Sequence, residues 1–133
     1  MIPITEFEQT ALEKLLDAEC LFIGNRFDGA VYMARCALEI AFKVRLCKEN
    51  GLTEFPESDE EFKAHDLYHW KKHFSVKLVK QCSVYTKIKE EYQNEWSSVQ
   101  NWNVAMRYKS LEKSKADADN FIKDTKTLLE VIL

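Results

Sequence analysis

Glycine and proline are scarce, with three glycines and two prolines in 133 residues. That scarcity excludes collagen-like chains, flexible linkers and the turn-rich pattern of a β-sandwich. No apolar run approaches the ~18 residues of a membrane span. Met1 is followed by Ile-Pro-Ile-Thr-Glu, with no basic start and no apolar core, so no signal peptide is expected. None of the four cysteines (Cys20, Cys36, Cys47, Cys82) forms a CxxC pair. They are expected as core or near-core thiols of a reducing, cytoplasmic compartment, not as a disulfide framework or zinc site. Histidine stops at His73. No Gly-rich phosphate loop, nucleophile elbow, HExxH or helix-turn-helix signature is present.

What is present is helical patterning. Hydrophobic residues make up 46% of the chain and the formal net charge is −3, which argues against bulk non-specific nucleic-acid binding. The organising stretch runs from Asn25 to Gly51. Asn25 is expected as the N-cap, Asp28 complements the positive helix end, and Asn50-Gly51 supplies the stop. Between them Phe27, Ala30, Val31, Ala34, Leu38, Ala41 and Val44 share a face, and Met33, Cys36, Ile40 and Leu46 widen it. So broad an apolar surface marks the central helix of a bundle. One strip stays charged: Arg35, Glu39 and Lys43. A solvated edge is the preferred reading of that strip. The sharper one is a partly buried pair beside a groove.

Before this helix, Thr5 to Glu8 reads as a capping box. The helix behind it turns Phe7, Ala11, Leu15, Ala18 and Phe22 inward, with Leu12, Leu16 and Ile23 beside them, and Gly24 ends it. After it come a loop over 51–65, a helix from near Asp66 and a break near Cys82-Ser83. One further helix carries Tyr85, Ile88, Tyr92, Trp96 and Val99. A second loop spans Asn101 to Lys113. Ser114 with Asp117 opens the last helix, which turns Ala118, Phe121, Thr125, Leu128 and Ile132 inward. The expectation is one all-α domain over residues 1–133, an up-and-down bundle of four to five helices.

Three groups could carry chemistry. His65, His69 and His73 recur every four residues, one way to build a metal site, although a polar face or a cap is the commoner use of such spacing. Seven lysines stand between Lys63 and Lys89 against the acid Asp66 before Glu90, either a polyanion-binding patch or a solvated face, with the solvated face slightly favoured. Trp102, Arg107 and Tyr108 could plug the bundle end, or stack on bases while the guanidinium grips phosphate.

The run from Arg26 to Lys43, followed by His65-Asp66-Leu67 and then by Trp102 and Arg107-Tyr108, resembles the HEPN family in order and spacing over nearly the whole chain. The resemblance implies an up-and-down bundle that dimerises, with a cleft at the dimer interface. It also implies prokaryotic defence or toxin–antitoxin partners, and in many members metal-independent ribonuclease activity. The family's nuclease motif is an arginine followed four to six residues later by histidine. Here Arg107 falls near the expected place, but residues 111 to 113 are Leu-Glu-Lys. The usual imidazole chemistry is therefore not expected.

The reading is a dimeric binding or regulatory domain towards RNA, a nucleotide or a partner protein, with no cofactor. Its anion or ligand contacts would come from Arg107, Tyr108, Trp102, Lys43 and Arg35. A degenerate ribonuclease using Arg107 or Glu39, with a base from Glu39 or from the His65/His69/His73 group, is one alternative. A structural dimerisation partner of a nucleotidyltransferase-like protein is another.

Overall fold

The computed structural model describes residues 2–55, 79–100 and 112–133. In chain order these hold β1 (Ile2–Pro3), α1 (Ile4–Ile23), α2 (Phe27–Glu49), β2 (Glu54–Phe55), α3 (Val84–Glu91), α4 (Gln93–Val99) and α5 (Lys115–Ile132). The architecture is a helical bundle with one short antiparallel strand pair at its edge. In that pair Ile2 stands opposite Phe55 and Pro3 opposite Glu54. No helix among the described residues is long and apolar enough to cross a membrane.

A left-handed helix ending sets the α1–α2 hairpin. Asn25 adopts φ 60°. Its amide donates to the Phe22 carbonyl at 3.0 Å, and the Arg26 amide donates to Leu21 at 2.8 Å. These are the two bonds of a Schellman ending, with Asn25 in the left-handed position. Asn25 therefore closes α1 and does not cap α2, whose N-cap is Arg26 without a side-chain cap bond. Asparagine is the residue both roles share, so its type alone does not choose between them. α2 ends in the same way, at the predicted place. Gly51 takes φ 70°, its amide donates to Lys48 at 3.2 Å, and Leu52 donates to Cys47 at 2.9 Å.

The start of α1 departs from the capping-box expectation. Pro3 is the N-cap, no side chain caps the helix, and Thr5 lies inside it. The Ile4 amide donates to the Thr53 carbonyl at 2.9 Å, so the chain beside β2 satisfies one of the amides that the helix itself leaves unpaired.

α2 is the centre of the bundle. It packs on α1 along one side and α5 along another, and β2 covers its C-terminal part. Ala30, Val31, Ala34, Ala37, Leu38, Ala41, Phe42, Val44, Leu46 and Cys47 are all buried. The alanines let neighbouring helices come close, and Phe42 and Leu38 fill the space between them. α4 brings Trp96 edge-on to Phe42, with ring centres 5.9 Å apart. Thr125, Leu128 and Ile132 of α5 complete the core.

Two further expectations are corrected. The single helix expected to carry Tyr85 to Val99 is two, α3 and α4, parted at Tyr92 with φ −127° and ψ 35°. Ile88 of α3 and Trp96 of α4 both enter the core. On α1, Ala11, Leu15 and Ala18 are buried as expected, but Leu12, Leu16 and Ile23 are exposed, and so is Cys20. α1 is apolar over more of its circumference than its described neighbours cover.

Candidate functional site

The charged strip of α2 is buried in part, against the solvated-edge expectation. The Lys43 ammonium meets the Glu39 carboxylate at 3.1 Å, and their side chains are only 14% and 15% exposed. Arg35 is 4% exposed. Its guanidinium lies 5.2 Å from the centre of the Phe121 ring, within range of a cation–π contact. Burial lowers its pKa from the ordinary value, yet a guanidinium stays charged in proteins. Helical geometry explains why the strip divides. Steps of four residues advance the face by about 40° each, so Arg35 meets α5 while Lys43 stands 5.6 Å from the ring of Phe55 on β2.

Phe121 also lines a groove of about 260 Å³ with Val31, Ser98, Lys113, Asp117 and Asn120. Three helices contribute to it: α2 gives Val31, α4 gives Ser98, and the start of α5 gives Asp117, Asn120 and Phe121. The α5 wall is fixed by a capping box. The Ser114 hydroxyl accepts from the Asp117 amide at 3.1 Å, and the Asp117 carboxylate accepts from the Ser114 amide at 3.4 Å. On α4, the Ser98 hydroxyl lies within hydrogen-bond distance of the Glu95 carbonyl and the Asp124 carboxylate and donates its one hydrogen to either.

The approach to α5 is tied down across the bundle. Asp28, in the first turn of α2, accepts from the Lys113 amide at 2.8 Å and the Glu112 amide at 3.2 Å. Glu112 is held at φ 49°, in the left-handed region. An L residue there is strained and persists only where its surroundings over-determine it. The Asp28 carboxylate supplies part of that determination.

The groove offers Lys113 as a cation, Asn120 and Ser98 as neutral polar groups, and the Phe121 ring as an apolar face. Asp117 is already committed to its cap. At about 260 Å³ the space falls below the ~300–1,000 Å³ of a usual small-molecule pocket. It suits a phosphate or the edge of a base better than a whole enclosed ligand.

Of the residues expected at the site, Arg35, Glu39 and Lys43 are described and lie along one helix, with Glu39 and Lys43 in direct contact. Trp102, Arg107 and Tyr108 lie outside the described residues, as do His65, His69 and His73. Among the described residues no group of three or more His, Cys, Asp or Glu side chains is placed to hold a metal. Sequence reasoning missed Ser98 and Asn120, single polar residues without a pattern. Asp117 and Phe121 were visible only as cap and core. No family model, curated protein or solved structure matches the chain.

Proposed function

We propose that the chain is a dimeric, HEPN-like binding or regulatory domain that takes RNA, a nucleotide or a partner protein without the usual ribonuclease chemistry of that family. One observation carries the ligand side of this reading. The stretch 101–111, with Trp102, Arg107 and Tyr108, leaves the described chain just after Ser98 and rejoins it at Glu112 and Lys113. Ser98 and Lys113 both line the groove. A segment rich in stacking and phosphate-gripping side chains thus begins and ends at a polar concavity beside Arg35.

Arg107 is assigned to the phosphate, Trp102 and Tyr108 to stacking or to the cleft walls, and Lys113 to a second phosphate contact. Arg35, Glu39 and Lys43 form the polar seam beneath. The absence of histidine after His73 supports binding over cleavage, because an arginine alone offers no group that titrates near neutrality.

Fluorescence anisotropy with a labelled single-stranded RNA tests the reading. The expected result is binding that weakens as salt rises and falls about tenfold or more in Arg107→Ala, the loss of a charge-assisted phosphate contact. Salt-insensitive binding, or equal binding by the variant, would count against it. Light scattering tests the dimer: a strictly monomeric protein would remove the interface cleft.

A further inference from the structure

α1 carries an apolar strip that nothing in the described structure covers. Leu12 is 41% exposed, Leu16 57% and Ile23 80%, and Cys20 is exposed between the last two. Thr5, Gln9, Leu12, Leu16, Cys20 and Ile23 fall within about 80° of one another at 100° per residue, and none is charged. From Leu12 to Ile23 the strip runs about 16 Å, some three helical turns. At its C-terminal end it opens into a shallow groove of about 420 Å³, to which Leu21 of α1 and Met33 of α2 contribute apolar walls.

The rims of the strip differ. On one side stand Glu6, Glu13 and Asp17, all exposed. On the other stand Glu8 and Glu19, already paired with Lys48 at 3.5 Å and Lys126 at 3.8 Å. One rim is acidic and open, and the other is neutralised. The cation at the groove end is Arg26.

We propose that this strip is a docking surface for an amphipathic helix of a partner protein, whose apolar stripe is flanked along one side by lysine or arginine. Apolar anchors at spacings of three and four residues fit a helix laid along α1, and the open acids select a basic flank and set its orientation. A second copy of the chain fits poorly. Antiparallel pairing of two α1 strips would set each Glu13–Asp17 rim against its own copy, and parallel pairing would set it against the Glu8–Glu19 side. The first sets carboxylate against carboxylate, and the second offers the open acids only lysines that Glu8 and Glu19 already hold. The proposal stands apart from the α2–α5 groove and does not depend on RNA binding there.

The test uses the full chain, ¹⁵N-labelled, and two synthetic helical peptides with the same leucine stripe, one with lysine and one with glutamate along a flank. The lysine peptide is expected to bind at least tenfold tighter than the glutamate peptide and to shift the amide signals of Leu12, Leu16 and Ile23. Leu16→Glu should abolish binding, with the circular dichroism and unfolding midpoint of the parent retained. The double variant Glu13→Lys/Asp17→Lys should reverse the preference between peptides. Failure of both peptides to bind, or equal affinity for the two, would overturn the proposal. So would a self-associated form of the chain that Leu16→Glu dissociates; that outcome would leave RNA binding at the other groove unaffected.

Discussion

At position 28 a carboxylate sits in the first turn of α2, where the helix dipole favours negative charge, and holds two amides of the chain leading into α5. Asp28→Ala would leave those amides without this acceptor and the left-handed Glu112 less supported. A loss of about 1–2 kcal/mol in urea unfolding is expected, since hydrogen bonds to charged groups carry that order of energy. Glu49 makes a similar tie at the other end of α2. Burial works against its ionised form, but the Ser83 hydroxyl, the Ser83 amide and Arg45 outweigh that, and its pKa falls below the ordinary 4.5. A depressed carboxylate contributes stability above its unfolded pKa and loses it as pH falls through the folded value. Wild type should therefore lose stability below about pH 4.5 more steeply than Glu49→Gln, in unfolding midpoints taken from pH 6 down to 3. The thiols divide by burial. Cys82 is pushed up to about 12, first by burial and then by the charge of Glu49, and Cys47 to about 11 by burial. The thiolate is the reactive form. A thiol reagent at pH 8 should label exposed Cys20 quickly in the native protein, and reach Cys47 and Cys82 only in denaturant.

The elements show what a pattern can and cannot encode. α2 was legible because its apolar residues repeat at helical spacing over more than one face, and its stop because Gly51 meets the left-handed requirement of a Schellman ending. The opening of α5 was legible because Ser114 and Asp117 stand three apart. The start of α2 was misread, since Asn25 suits a left-handed closure as well as a cap. The partition of Arg35 from Lys43 was not legible, because it depends on which neighbours, α5 and β2, cover successive turns. The break at Tyr92 carries no glycine or proline to announce it. If α2 is the hub, Leu38→Ala should cost about 2–5 kcal/mol in equilibrium unfolding, the range for a fully buried leucine. A cost below 1 kcal/mol would place the core elsewhere.

For the molecule as a whole, the helical bundle followed from scarce glycine and proline and from periodicity, while its surfaces did not. The strip of α1 that no described residue covers could not be told from a core stripe, because apolar spacing says which face is greasy and not whether a neighbour arrives. The α2–α5 groove joins residues far apart in sequence, which no local motif reports. The two concavities differ in character: one is polar and sits where the Trp102–Tyr108 stretch leaves and rejoins, the other apolar with an acidic rim. The central claim concerns the first, that the chain binds a phosphate-bearing ligand without cutting it. Its most direct measurement runs one mixture of purified protein and end-labelled single-stranded RNA on a native gel and on a denaturing gel. The account predicts a shifted band whose RNA remains full length, and loss of the shift in Arg107→Ala. Shortened RNA that appears with wild type and not with Arg107→Ala would contradict it.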